Sequence, residues 1–312
     1  MSAIRQDFEL DGVPLVRLES EFLRADVAPS VGGRIVSLFE KRSGQELLWR
    51  NSKRKLELLP NGAEYDPSFF GGIDELLPND IPERINQIDC PDHGELWTTS
   101  LGPRVQGEKL LLNGTLSKFG LRYEREMSLL PNQPSLEIIY RISNPTNQPR
   151  EFLWKLHAAL TVEAGDVIDC PARKAQVVGP AWSRFKSAAP FPWPNIEGRA
   201  ANVVPRQNGT VDFFYLFELM EGRLACHRKR RNITIGYTFD TNIFPYAWLF
   251  ASYGGFNGYY TVILEPCTAM PLSVNEAAAK KQCSRLEPGQ SLQTGVSLYV
   301  NISQPEGEER QL

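Results

Sequence analysis

Along much of the chain apolar and polar side chains alternate one for one. Leu121, Tyr123, Met127 and Leu129 alternate with Arg122, Glu124, Glu126 and Ser128, and Leu136, Ile138, Tyr140 and Ile142 alternate mostly with polar residues. Period-two patterning places one face of a β-strand in a core and the other in solvent. Pro131, Asn132 and Pro134 separate the two runs, which predicts a hairpin or meander. A closing strand is predicted where Leu292, Val296, Leu298, Val300 and Ile302 alternate with Ser291, Gln293, Ser297 and Asn301, after a turn at Glu287-Pro288-Gly289. Helical periodicity is confined to 275–283, where Asn275 is the expected cap. The 23 prolines punctuate the rest, as at Pro190, Pro192 and Pro194 around Phe191 and Trp193. The prediction is an all-β sandwich forming a single domain over 1–312, with the Pro-rich stretch 189–210 as a long internal loop.

Composition narrows the partners. The chain has 312 residues, 42% hydrophobic and 23% charged, which is ordinary globular usage. A net charge of −3 gives no drive toward nucleic acid or an anionic membrane. No stretch approaches the ~20 apolar residues of a membrane span. The N-terminal MSAIRQDFEL has early acidic residues and is not read as a signal peptide. Five cysteines without a CxxC pair argue against a disulfide framework or zinc site and fit a reducing cytoplasm. The basic run His227-Arg228-Lys229-Arg230-Arg231 reads as a solvated turn between strands, with a phosphate anchor as its functional alternative. Six Trp, ten Tyr and sixteen Phe are more than a core requires, so some are expected to line a groove.

Three segments carry candidate chemistry. In 152–162, read as one strand, Phe152, Trp154, Leu156, Ala158, Leu160 and Val162 share a face, so His157 lies on the other with Lys155, Ala159 and Thr161. That face is either a cleft or a site for a hydrogen-bonded structural histidine. His93, in CPDHGELW, sits in a turn expected to lead into a strand, where Asp92 and Glu95 can raise its pKa. Asp92, His93 and Glu95 would be a weak metal set, lacking a second spaced ligand pair. Glu265 ends the apolar run GYYTVILEP, where Pro266 is expected to break the ladder, and a carboxylate there is either paired in the interior or presented to a cleft. Asp74 and Glu75, in FFGGIDELLPND, read as a loop whose glycines let backbone approach a ligand; a capped turn is the equal alternative.

These pieces, in this order, resemble the galactose mutarotase-like superfamily, the aldose 1-epimerases and their relatives. The resemblance runs through VAPSVGGRIVSLFEKRSGQELLW, GGIDELLPN, PDHGELW, KLHAALTV and VILEPCTAMP, over nearly the whole chain. It implies a large antiparallel β-supersandwich, an all-β fold with a sugar site on a concave sheet. It implies that Glu265 is the general base, His157 the general acid, and His93 a hydrogen-bonding partner of the sugar, with neither metal nor cofactor required. Asp240 lies roughly where the superfamily's sugar-binding aspartate falls. Trp97, Phe244 and Trp248 are candidates to stack on the sugar, with core packing as the alternative for each. The implied partner is a small-molecule carbohydrate, bound by a monomer or homodimer. A non-catalytic carbohydrate-binding protein, a hexose-6-phosphate epimerase using the basic run, and a glycosidase using Asp74 or Glu75 opposite Glu265 remain as alternatives.

Overall fold

A computed structural model describes residues 2–303. Antiparallel strands form one twelve-stranded and one eight-stranded sheet, packed face to face. The hairpin pairs Arg122–Leu129 with Ser135–Ser143, and Ser291–Ile302 adds on the far side of the latter. Its alternation sends Tyr123, Met127, Ile138, Tyr140, Val296 and Leu298 inward. They meet Leu156, Ala158, Leu160, Val262 and Leu264 from the larger sheet, which makes the main core.

The larger sheet runs, in spatial order through its middle, Arg34–Glu40, Ile73–Leu76, Lys155–Leu160, Tyr260–Cys267, Tyr246–Tyr253 and Thr210–Leu219. Both faces of this central part are covered, so its strands show little exposed polarity and read poorly as strands. Residues 73–76 are a buried strand rather than the expected loop for that reason. Along it Asp74 and Glu75 necessarily point to opposite faces. Glu75 points to the main core, where it accepts hydrogen bonds from Arg125 Nη1 (2.7 Å), Tyr123 Oη (2.8 Å) and Trp154 Nε1 (2.9 Å) and ties the two sheets together. Arg125 also donates to the carbonyl of Gly33. Gly33 has φ +70°, and a Cβ there would lie 2.6 Å from that guanidinium, so the Gly-Gly-Arg turn needs glycine at this position.

Four local expectations change. The 152–162 segment splits: Arg150–Phe152 pairs with Ser284–Leu286, and only Lys155–Leu160 joins the large sheet. The turn at His93 leads into a 3₁₀ turn, Leu96–Thr98, not a strand. Pro266 lies inside the Tyr260–Cys267 strand, opposite Ala247, and does not end it. The helix is Val274–Ala279, capped by Ser273, whose Oγ accepts from Glu276 N at 3.2 Å; the Asn275 side chain bonds to Glu83 instead. The 189–210 stretch is mostly loop with short strand pairs. Among the described residues, no helix is long and apolar enough to cross a membrane.

Candidate active site

Strand register places the candidate residues in a single row across the large sheet. Ile35 pairs with Ile73, which sets Arg34 opposite Asp74. Asp74 pairs with His157. Lys155 pairs with Cys267 and Ala158 with Leu264, so His157 falls opposite Glu265. Glu265 pairs with Trp248, and Trp248 with Tyr215. Directly opposed antiparallel residues stand with Cβ atoms about 4.5–5.5 Å apart, so His157 and Glu265 are immediate side-chain neighbours. Lys155, two residues before His157, shares that face.

Each member of the row is held by a partner. Arg34 Nη2 lies 2.7 Å from Asp74 Oδ2, and Asp74 Oδ1 lies 2.9 Å from His157 Nδ1. A carboxylate can only accept, so Nδ1 carries the proton and donates, and Nε2 is left as the ring's second functional nitrogen. Tyr65 Oη donates to Asp74 Oδ2 at 2.8 Å and buttresses the pair. Burial works to raise the pKa of Asp74, but Arg34 and His157 outweigh it and hold the carboxyl at about 2. Glu265 Oε2 lies 2.5 Å from Lys155 Nζ, and Asp80 Oδ1 lies 2.6 Å from the same ammonium. Neither oxygen has another polar partner, so Lys155 is what neutralises both. Burial opposes the charge on Lys155, yet Asp80 and Glu265 prevail and raise its pKa; burial likewise opposes ionisation of Asp80, and Lys155 lowers its pKa.

His93 approaches from the loop above. Its φ of +57° is followed by +73° at Gly94, a left-handed pair that turns the ring toward the sheet. The backbone N–H of His93 donates to the carbonyl of Asp80 at 2.8 Å, and its ring stacks on Tyr65 with centroids 4.0 Å apart. Burial works against a charged ring, but Asp92, 2.8 Å from Nδ1, and Asp80 raise the pKa of His93. Glu95 turns away to accept from Asn61 and from the N–H groups of Lys118 and Phe119, so Asp92, His93 and Glu95 do not converge as a metal set.

These groups open into a cavity of about 220 Å³. His93, Lys155, His157, Glu265, Asp80 and Asp66 supply its polar lining, and aromatic rings supply most of the rest. The structure therefore brings His93, His157 and Glu265 together. The other candidates stand elsewhere. Asp74 does not line the cavity but backs His157. Glu75 faces the opposite side of the sheet, in the main core. Trp97 is buried edge-on beneath Tyr65, with centroids 5.1 Å apart. Phe244 is buried in the main core against Trp154. Trp248 is on the correct face but lies under Lys155, whose Nζ sits 4.5 Å from its ring centre. Asp240 is exposed in a turn and bonds only to Asn242 through its side chain. Of the basic run, Lys229–Arg231 form the expected solvated 3₁₀ turn between two strands of the smaller sheet, whereas His227 and Arg228 lie in the strand Arg223–Arg228 and Arg228 is buried; Arg231 and Arg228 lie near Glu163, and the run does not reach the cavity. A glycosidase pair is also removed: Glu75 is on the wrong face, and Asp74 is committed to Arg34 and His157.

The residues missed from sequence are Lys155, Asp80, Arg34 and Tyr65. Lys155 carried a signal, since it shares the face assigned to His157. Asp80 arrives from a loop and Tyr65 from the four-residue helix Tyr65–Ser68, too short for a periodicity to show.

The electrostatics of Asp74 predict acid sensitivity. A carboxyl near 2 when folded and about 4 when unfolded contributes about 2–3 kcal/mol, present above pH ~4 and lost as pH falls toward 2. Urea unfolding of the wild type should lose this amount over that window, and Asp74→Asn should lack that part of the slope. Identical slopes would remove Asp74 as its source.

No curated protein matches the chain. Residues 9–74 match a domain of unknown function, DUF5107. Solved structures match over nearly the full length. The Slr1438 protein of Synechocystis sp. PCC 6803 is 18% identical, with 96% of this chain and 99% of that one covered at TM-score 0.72. A galactose mutarotase-like protein from Clostridium acetobutylicum is 15% identical, with 96% and 99% covered at TM-score 0.68. A galactose mutarotase-like protein from Lactobacillus casei ATCC 334 is 14% identical, with 92% and 100% covered at TM-score 0.66. The fold is that of the galactose mutarotase-like superfamily. At these identities the likeness establishes the fold alone.

Proposed function

We propose that the protein binds an aldose and interconverts its anomers by acid–base ring opening. The observation that carries this reading is the convergence of an imidazole held by Asp74 and a neighbouring carboxylate on one cavity wall. Glu265 takes the proton from the anomeric hydroxyl, the O1 electron pair forms the carbonyl, the C1–O5 bond breaks, and O5 receives a proton from His157 Nε2. Rotation about C1–C2 presents the other face, and the same two groups reverse roles for closure. Asp74 fixes the orientation and tautomer of the His157 ring, as a carboxylate does behind a catalytic imidazole. His93, a raised-pKa donor at the rim, hydrogen-bonds a sugar oxygen. The chemistry calls for neither metal nor cofactor.

A second reading, a carbohydrate-binding protein without catalysis, is favoured by one observation: Lys155 occupies Oε2 of Glu265 and leaves only Oε1 for proton transfer. Polarimetry or NMR on freshly dissolved α-D-glucose, α-D-galactose and a uronate separates the two. The expected result is an anomerisation rate rising linearly with protein concentration for at least one sugar. Saturable binding with no added rate would establish the second reading in its place.

A further inference from the structure

The cavity has an outer wall that the ring-opening groups do not use. From Trp182 through Phe213, Phe250 and Phe256 to Tyr259, neighbouring ring centroids lie 6.4, 6.0, 5.7 and 5.9 Å apart. All five rings line the cavity. One end of the arc is Trp182, which is 49% exposed and is the one aromatic side chain among the exposed large hydrophobics of the described residues; its neighbour Phe213 also packs on Trp248 of the catalytic row, with centroids 5.7 Å apart. Leaving an indole in water contributes nothing to folding, so its position calls for another explanation.

That indole is nevertheless fixed. It lies flat over Gly179, where a Cβ would come within 2.3 Å of three ring atoms, so only glycine permits the packing. The N–H groups of Trp182 and Ser183 both donate to the carbonyl of Gly179, at 3.1 and 3.2 Å. Lys186 Nζ clamps the same turn by donating to the carbonyls of Pro180, Ala181 and Ser183, at 3.2, 3.3 and 2.6 Å. Next in the chain, Arg184 is anchored to the buried Asp212. A rigid, exposed, flat ring is preorganised for stacking and loses little conformational entropy on binding.

We propose that the cavity receives the reducing end of an oligosaccharide, and that Trp182 is the platform on which the second sugar ring stacks. The cavity as a whole, at about 220 Å³, is the size of one sugar unit, so a second ring lies at its mouth, where Trp182 is exposed. Its polar groups suit hydroxyls, whereas the arc toward Trp182 offers apolar faces, which suit the C–H face of a second pyranose. Ring opening needs a free anomeric carbon on the inner unit, so the second ring is joined through another hydroxyl. The inference rests on the proposed function only for the identity of that inner unit.

The test compares dissociation constants of maltose, cellobiose and lactose with those of glucose and galactose, using the full chain and titration calorimetry. At least one disaccharide is expected to bind about tenfold more tightly than its monosaccharide, the scale of one aromatic stacking contact. Trp182→Ala should weaken that disaccharide about tenfold more than it weakens the monosaccharide, and Trp182→Phe should recover most of the loss. A panel in which no disaccharide outbinds its monosaccharide, including one in which none binds, overturns the proposal. So does a wild type that sediments as a dimer and a Trp182→Ala variant that sediments as a monomer, since the indole would then serve a second copy of the chain. Anomerisation measured on the same samples keeps the two ideas apart: a Trp182-dependent preference without catalysis refutes the ring-opening function alone, and catalysis without the preference refutes the platform alone.

Discussion

Glu265→Gln is expected to lower protein-catalysed anomerisation by about 10²–10⁴-fold, the usual contribution of one positioned general acid or base. The substitution keeps the side-chain shape and removes only the capacity to accept a proton. Lys155 retains Asp80 as a counter-charge, 2.6 Å away, so the ammonium is not stranded. The variant should therefore remain folded by circular dichroism and keep its sugar affinity within a few-fold, because uncharged amides still hydrogen-bond hydroxyls. His157→Gln is expected to fall by a comparable factor, and the double variant by less than the product of the two, since acid and base act in one concerted event. Polarimetry on a pure α-anomer measures all three. Catalysis unchanged in Glu265→Gln would end the assignment of the base.

Most of the framework was legible in the sequence. The period-two runs located the smaller sheet's strands because one face of each meets the core while the other meets water. The face argument for His157 was legible for the same reason: Leu156 and Ala158 enter the main core, and Lys155 and His157 enter the cavity. What stayed hidden lies in the doubly covered centre of the large sheet. Asp74 and Glu75 look alike as adjacent acids, yet a strand sends them to opposite faces, one behind His157 and one to Arg125. Their neighbours carry no alternation that would have shown a strand there. Trp248 and Phe244 are similar cases, since an aromatic residue near a site has the same sequence signature whether it faces a ligand or supports the floor. His93 and Asp80 meet Tyr65, on the short helix Tyr65–Ser68, through loop geometry and the positive-φ turn at His93-Gly94, and only chain order relative to the superfamily pointed to His93.

The row also explains why Lys155 should matter more to stability than any other single polar residue of the site. Lys155→Met is expected to destabilise the protein by about 3–5 kcal/mol at pH 7, the scale for stranding buried charge. Asp80 and Glu265 would then lie within a few ångströms of each other, both buried, with no cation between them. The pH dependence identifies the cause. In the wild type the lowered pKa of Asp80 contributes stability above its unfolded value of about 4, and that contribution is lost as pH falls. In the variant burial and mutual repulsion raise the pKa of the two carboxyls, with His93 and His157 as the remaining groups that lower that of Asp80. The resulting penalty is full above those raised values and is relieved as protons bind on the way down to about pH 4. The two unfolding free energies should therefore converge as pH falls from 7 toward 4, and Asp80→Asn in the Lys155→Met background should recover part of the deficit at pH 7. Urea denaturation at the two pH values measures this. A deficit that is the same at both would mean that lost side-chain packing against Trp248, rather than stranded charge, is what Lys155→Met removes.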